Sequence, residues 1–234
     1  MPMVYRKNPF EPSSIIKTME PIEGNLLIVQ CDSESPVANA SLQGVVMEAL
    51  NHECIEEVYG SSDGVTGLLR DQLLDLAQQP QQIIKHLSST SGHVLGHGGT
   101  GHSWGPEELK RALEVIKAHN LRYLFFIGGH EALKMVRQIH EAAKLDGFTL
   151  QALHIPHLYD NSLAIGDHCL GYGSVIKALS ARAKNLFPSA EENTRSETVT
   201  LLSLPAGANS WMAAGSILLK HKTSQVPHLI CIPE

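Results

Sequence analysis

The sequence has no surplus of positive charge, no long hydrophobic run and no closely spaced cysteines. Its 234 residues carry 18 Lys and Arg against 24 Asp and Glu, a formal net charge of −6, which argues against nucleic acid as the main partner. No apolar run approaches the roughly 20 residues that span a bilayer, so no membrane partner is expected. The four cysteines form no CxxC pair, and the first 14 residues lack the apolar stretch of a secretory signal. We therefore expect a reduced, cytoplasmic protein.

Short apolar runs alternate with helical patterns along the chain. Runs of five or six residues bounded by turn-forming residues are typical of strands buried on both faces. Such runs occupy residues 26–30, 123–127, 150–155, 199–204 and 228–232. Apolar residues at helical spacing predict helices over residues 38–50, 106–119, 131–143 and 174–183. The alternation predicts a three-layer α/β sandwich with a mainly parallel sheet, in which ligands bind at the carboxyl ends of the strands.

The domain organisation predicted from these patterns is simple. Residues 1–24 are polar and contain several prolines, so we expect them to form an irregular N-terminal extension. Residues 25–234 contain the alternating pattern, with no internal repeat and no low-complexity tract, and are expected to form the α/β domain.

A glycine-rich segment, SGHVLGHGGTGHSWG at residues 91–105, is the first candidate for a ligand site. Glycine lets backbone N–H groups approach a phosphate closely, and a helix is predicted from Pro106. The segment lacks the Lys and Ser/Thr of a P-loop and the GxGxxG that follows a strand in dinucleotide sites, so neither nicotinamide nor flavin is expected. Composition alone favours a flexible surface loop. Zinc is not expected either, because no Cys or carboxylate completes a tetrahedral set with the segment's histidines.

Two clusters of ionisable residues follow predicted strands. IGGHEA at 127–132 places His130 and Glu131 at the carboxyl end of a strand, but the residues alone slightly favour a plain βα turn with a capping carboxylate. HIPHLYDNSLAIGDHCLGYGS at 154–174 concentrates histidines, aspartates and an asparagine after another strand, which is typical of general-base chemistry. The structural alternative for the second cluster is an Asx-turn built by Asp160 and Asn161. For this cluster we favour the functional interpretation.

These motifs, taken in order, resemble the phosphofructokinase family, and its pyrophosphate-dependent branch in particular. SPVANASLQGVV (35–46) resembles the family's first loop and helix, and VYGSSDGVTGLL (58–69) resembles the segment after its second strand. GHVLGHGG (92–99) stands where the family has its GTxLGSxR phosphate loop. GDHCLGYGS resembles TDxxPGFGS, and SLPAGANSWMAAG (203–215) resembles EVMGRxAGWxAAxG. The resemblance implies a phosphofructokinase-like fold over residues 25–234, with the family continuing into a second domain that completes its sugar-phosphate site.

The resemblance also implies an activity, in which a phosphate group moves from pyrophosphate or a nucleotide to fructose 6-phosphate, as in glycolysis. IPHLYDN is similar to the family's PKTIDND, which implies that Asp160 is the catalytic base. IGGHEA is similar to the GGDGS or GGNDS metal-binding turn, which implies that Glu131 is a ligand of Mg²⁺. The substrate- and phosphate-binding residues that it implies are His97, Gly98, Gly128, Gly129, His157, Asn161, Asp167 and Glu234. The family usually assembles as dimers or tetramers, so a homo- or hetero-oligomer is expected.

The matched positions have lost positive charge. The arginine of the phosphate loop is replaced by Gly99, the arginine of MGR by Gly207, and the lysine of the base motif by His157, while Asp32 adds a carboxylate where the family has glycine. Phosphoryl transfer depends on cations placed around a highly charged group. We therefore expect weak or no phosphotransferase activity from the chain alone, and a role as a pseudoenzyme.

Two alternatives stay open. One is an active phosphotransferase in which His97, His130 and His157 replace the family's charged groups and accept another donor or sugar. The other is a non-catalytic regulatory or scaffold subunit. Under any interpretation that keeps the site, five side chains should converge at the carboxyl edge of the sheet. They are Asp32, His97, Glu131, Asp160 and Asp167.

Overall fold

A mostly parallel sheet organises the chain. The structure is a computed structural model that describes residues 21–31, 35–98, 104–162, 168–184, 203–204, 211–215, 217 and 229–231. The strands within these ranges are β1 (Gly24–Gln30), β2 (Ile55–Ser61), β3 (Leu73–Asp75), β4 (Leu121–Gly128), β5 (Gln151–Leu158) and β6 (Leu170–Gly171). Their order in the sheet is β3-β2-β1-β4-β5-β6. Strand β3 is antiparallel to β2, and the other described pairs are parallel.

Helices cover both faces of this sheet. They are α1 (Ala38–Ala49), α2 (Gly64–Leu69), α3 (Gln81–His86), α4 (Pro106–Ala118), α5 (His130–Leu145), α6 (Tyr172–Lys184) and α7 (Trp211–Gly215). Helix α4 starts at a proline, which needs no N–H partner there, and the Glu108 carboxylate accepts a hydrogen bond from the N–H of Gly105 at 3.0 Å. No described helix is long and apolar enough to cross a membrane.

Alternation along β1 divides the core into two layers. Leu27 and Val29 pack in a cluster with residues of α2, α4 and α5, whereas Leu26 and Ile28 pack in a second cluster with residues of α1 and α3. Successive side chains of a strand point to opposite faces, so a strand covered on both faces has a continuous apolar run, which in β1 extends over residues 26–29. The predicted three-layer α/β sandwich with a mainly parallel sheet is confirmed, as are the strands predicted over 26–30, 123–127 and 150–155.

Several elements differ from the predictions. Strand β2 was not predicted as an apolar run, because Glu56 and Glu57 are exposed in its first half. Of the strands predicted over 199–204 and 228–232, only residues 203–204 and 229–231 are described, and none of these is in a strand. Leu229 is 87% exposed rather than buried. The rest of both runs, and residues 1–20 of the predicted N-terminal extension, lie outside the described residues.

The two-layer core predicts the cost of removing one leucine from it. Leu124 is fully buried in β4, so Leu124→Ala should lower the free energy of unfolding by about 2–5 kcal/mol. Leu145 is 90% exposed, and Leu145→Ala should change it by no more than about 0.5 kcal/mol. Urea unfolding of both variants measures the difference, and equal costs would contradict the core assignment.

Candidate functional site

The carboxyl edge of the sheet brings four chain segments together. Strands β1, β2, β4 and β5 are parallel neighbours in the order β2-β1-β4-β5, so the segments after Gln30, Ser61, Gly128 and Leu158 lie along one edge. In open α/β sheets this is the edge at which ligands bind. The predicted site residues that lie in the described ranges are on these segments or on the loop that packs across them.

Two buried amides hold that loop, which we call the glycine–histidine loop (residues 90–98). Gln30 and Asn39 are both fully buried and hydrogen-bonded to each other at 3.1 Å. The Asn39 amide donates to the carbonyl of Thr90 at 3.0 Å and accepts from the N–H of Val94 at 2.9 Å. The Gln30 side-chain oxygen accepts from the N–H of Leu95 at 3.1 Å. The loop backbone is therefore fixed to the ends of β1 and α1.

Asp63 holds the other side of the glycine–histidine loop. Its N–H donates to the carbonyl of Leu95 at 2.6 Å, and its carboxylate accepts from the N–H of Gly98 at 3.2 Å. The next residue, Gly64, has a φ of +61°, and a Cβ there would lie 2.7 Å from the carbonyl of His97. Only glycine fits this close approach. Sequence reasoning did not single out Asp63, although an Asp-Gly pair directly after a strand is a turn signal.

The glycine–histidine loop is thus more ordered in its contacts than its composition indicated. Leu95 is 8% exposed and belongs to the core layer next to α1. The rings of His93 and His97 meet edge to face, with centroids 5.9 Å apart. Residues 91–98 are in no helix or strand, as expected of a loop, and long-range hydrogen bonds that the local sequence does not reveal hold Val94, Leu95 and Gly98. The flexibility expected from composition stays a prediction.

His157 lies in β5 between two serine hydroxyls. Its Nε2 is 2.9 Å from the Ser41 Oγ, its Nδ1 is 2.8 Å from the Ser35 Oγ, and the ring is fully buried. Burial, with smaller contributions from His93 and His154, lowers the pKa of His157 to about 4. The ring is therefore uncharged at neutral pH. That His157 binds substrate directly stays a prediction. Such binding requires that His157 lose one of its two hydrogen bonds to serine.

The turn after β5 carries the predicted base. Asp160 is 9% exposed, and its Oδ1 accepts a hydrogen bond from the N–H of Ser162 at 3.1 Å, which is an Asx-turn. Asn161 has a φ of +55°, and its Oδ1 accepts from the N–H of Cys169 at 2.7 Å. The Asx-turn, which is the structural alternative for this cluster, is therefore present. It is compatible with a functional carboxylate, because the turn fixes Asp160 at the end of the strand.

The turn after β4 meets the turn after β5. The His130 Nε2 is 2.9 Å from the Ser162 Oγ, and the His154 Nε2 is 2.9 Å from the carbonyl of Gly128. Gly129 is the N-cap of α5, a helix of 16 residues, and the N-terminus of such a helix attracts anions. These contacts bring the turns that carry Glu131 and Asp160 to the same place. Asp32, Gly99, Asp167 and Glu234 lie outside the described residues.

One described carboxylate, that of Glu131, stands where the resemblance places a Mg²⁺ ligand. The Glu131 carboxylate pairs with the Lys134 ammonium at 2.6 Å. No three His, Cys, Asp or Glu side chains are grouped closely enough to hold a metal ion in the part of the chain that the structure describes. Mg²⁺ in proteins is often held by one or two carboxylates together with substrate phosphates and water, so Glu131 as a Mg²⁺ ligand stays a prediction.

A cavity of about 540 Å³ opens beside Ser41, between α1 and the start of α6. Its polar lining groups are the Ser41 and Ser174 side chains and the His168 ring, and Val37 and Leu170 supply apolar surface. Ser41 lines this cavity, and its hydroxyl group is hydrogen-bonded to His157 near the end of β5.

Comparison with known proteins gives one consistent family. The family model described as Phosphofructokinase matches residues 25–234. The pyrophosphate–fructose 6-phosphate 1-phosphotransferase of Rhodospirillum rubrum is 28% identical over 91% of this chain and 51% of its own length. That of Xanthomonas campestris is 29% identical over 90% and 51%. The crystal structure of a pyrophosphate-dependent phosphofructokinase from Nitrosospira multiformis matches 87% of this chain and 51% of its own, with a TM-score of 0.79 and 28% identity. The chain spans about half the length of these relatives.

Removal of the Asn39 amide tests the anchoring of the glycine–histidine loop. Asn39→Ala leaves the Gln30 amide, the Val94 N–H and the Thr90 carbonyl without their present partner, so the free energy of unfolding should fall by about 2–4 kcal/mol. Faster hydrogen exchange at the Val94 and Leu95 amides should accompany the loss. The exposed Asn51→Ala is the control, with an expected change within about 0.5 kcal/mol. Equal effects of the two substitutions would show that the buried amides do not hold the loop.

The buried ring of His157 predicts a pH dependence of stability. The unfolded chain takes up a proton at His157 as the pH falls below about 6.5, whereas the folded protein does so only near pH 4. Stability is therefore lost between these two values. From pH 7 to pH 5, the wild type should lose up to about 2 kcal/mol more than His157→Asn. The exposed His86→Asn should keep the wild-type pH dependence, and a His157→Asn profile parallel to the wild type would contradict the prediction.

Proposed function

The chain belongs to the phosphofructokinase family, and from this premise we propose that it binds phosphate compounds at the carboxyl edge of its sheet. We propose further that it transfers phosphate to fructose 6-phosphate weakly, or not at all, when it acts alone. The curated relatives above are named for transfer from pyrophosphate to fructose 6-phosphate. Because the chain spans about half of their length, its own activity, substrates and assembly are part of the proposal.

The observation that carries the proposal is the position of Asp160. Its carboxyl group lies in the turn after β5, fixed by the N–H of Ser162, whose hydroxyl contacts His130 at the N-terminus of α5. A carboxylate held in this way can accept the hydroxyl proton of a sugar as that oxygen attacks a phosphorus atom. The helix N-terminus supplies a partial positive charge that favours the phosphate group. These features support a site that keeps a base and an anion-binding element together.

The surrounding charges support weak transfer. The transition state of phosphoryl transfer is stabilised mainly by cations around the moving group. The imidazole of His157 is buried and uncharged at neutral pH, and the ammonium of Lys134 is paired with Glu131. The sequence has glycine at 99, where the resemblance places an arginine. If each missing donor costs about 3–4 kcal/mol of transition-state stabilisation, two of them lower the rate by several orders of magnitude.

The cations that phosphoryl transfer needs and this site lacks are proposed to come from outside the half of the relatives' length that the chain matches. The relatives' additional length, or a homologous subunit in a homo- or hetero-oligomer, can bring lysine and arginine to this edge. Under this proposal the chain is a binding or regulatory partner of an active phosphotransferase in the cytoplasm, and the isolated chain is a poor catalyst.

Turnover measurements test the proposal. With fructose 6-phosphate and either pyrophosphate or ATP, the isolated chain should turn over at well below about 1 s⁻¹, which is the lower end of the usual enzyme range. Any residual rate should be lost in Asp160→Asn and raised by Gly99→Arg, because the first removes the base and the second restores a cation. A turnover of about 1 s⁻¹ or more that Asp160→Asn abolishes would overturn the claim of weak activity. A rate that Asp160→Asn leaves unchanged would contradict the assignment of the base.

A further inference from the structure

Three hydrogen-bonded side chains lead from the cavity beside α1 into the interior of the protein. The Ser41 Oγ lies 2.9 Å from the His157 Nε2, and the His157 Nδ1 lies 2.8 Å from the Ser35 Oγ. His157 and Ser35 are buried, whereas Ser41 is half-buried and lines the cavity of about 540 Å³. Of the three side chains, Ser41 is therefore the one that a molecule in the cavity can reach.

One tautomer of the His157 ring makes Ser41 the donor of its hydrogen bond. The Ser35 Oγ also accepts a hydrogen bond from the N–H of Val37 at 3.4 Å. When the ring carries its proton on Nδ1, Ser35 accepts from two N–H groups, and a hydroxyl oxygen has two lone pairs for this purpose. The Nε2 atom then has no proton, so it accepts the hydrogen bond of the Ser41 hydroxyl.

This arrangement has the geometry of an activated nucleophile. Nucleophilic serines are recognised by a base within about 2.6–3.2 Å and by a third group that orients the base. Gly173 and Ser174, which also line the cavity, lie in the first turn of α6, a helix of 13 residues. The first N–H groups of a helix have no acceptor within it, so these two can stabilise negative charge on an oxygen atom in the cavity.

We propose that Ser41 is a nucleophile activated by His157, and that the cavity takes small apolar esters as substrates. Its volume is in the range of small-molecule sites, and Val37 and Leu170 give it apolar surface. The proposal goes beyond the phosphate chemistry proposed above and does not depend on it, because no phosphate group takes part.

The reaction needs only the ester and water. The Ser41 oxygen forms a bond to the carbonyl carbon while its proton passes to the His157 Nε2, and the bond to the alcohol oxygen then breaks as the alcohol leaves with that proton. Water attacks the acyl-serine in the same way, which releases the acid and restores the serine. Burial lowers the pKa of His157 and makes the ring a weaker base than usual, so slow turnover is expected.

Covalent labelling of the full chain with phenylmethanesulfonyl fluoride tests the nucleophile. The serine oxygen bonds to the sulfur atom, fluoride leaves, and mass spectrometry of peptides locates the adduct. Ser41 should be labelled at least about tenfold faster than Ser174 or Ser162. Ser174 lines the same cavity, and Ser162 lies 2.9 Å from the exposed His130, so they control for access and for a histidine partner alone. Equal labelling of the three serines, or no label on Ser41, would overturn the proposal.

Two substitutions test the base and the activity. His157→Gln keeps a hydrogen-bonding amide but cannot take up the proton, so labelling of Ser41 should slow at least about tenfold. The saturable hydrolysis of p-nitrophenyl acetate should fall at least about tenfold in Ser41→Ala. The exposed Ser89→Ala is the control and should keep the rate within about twofold. Hydrolysis that shows no saturation, or that Ser41→Ala leaves unchanged, would contradict the activity.

Nitrogen NMR shifts of the histidine ring test the tautomer in the wild type, so this result does not depend on whether His157→Gln folds. The His157 Nδ1 should have the chemical shift of a protonated nitrogen and Nε2 that of an unprotonated one. Ser35→Ala should shift the ring towards the other tautomer, because it removes the acceptor of the Nδ1 proton. A proton on Nε2 in the wild type would overturn the proposal, since Ser41 could not then pass its proton to the ring.

Discussion

The hydrogen bonds of two buried amides determine the geometry of the candidate site. Gln30 and Asn39 hold the backbone of the glycine–histidine loop against the ends of β1 and α1, and Asp63 holds its other side. Without these contacts a segment rich in glycine would have many accessible conformations. The loop is therefore positioned at the carboxyl edge of the sheet by residues far from it in sequence.

Under the proposed function, the carboxyl edge is a phosphate site with few cations among its described residues. It combines the N-terminus of a long helix, a carboxyl group fixed in a turn and several histidines. One of the histidines, His157, is uncharged and hydrogen-bonded to two serines. Another, His130, joins two turns through Ser162. Imidazoles and hydroxyls thus give this edge structural order, and under the proposed function other chains or domains supply the cations that stabilise a transferred phosphate.

The sequence predicted the strands over 26–30, 123–127 and 150–155 and the longer helices, because apolar periodicity reflects burial. It missed β2, whose exposed Glu56 and Glu57 interrupt the apolar pattern. At the site it located the turns around Glu131 and Asp160, since both follow recognisable strands. It did not reveal the role of Asn39 or the burial of His157 between two serines, because each depends on partners more than 50 residues away. Long-range contacts of this kind leave no local pattern in a single sequence.

Backbone amide shifts during titration with pyrophosphate test most directly whether the carboxyl edge binds phosphate. In two-dimensional NMR spectra of the labelled chain, the largest changes should occur at the amides of Gly98, Gly129 and Ser162, which lie on the three segments that meet there. Changes confined to the opposite edge of the sheet, around Asn120 and Thr149, or no changes at all, would contradict the account.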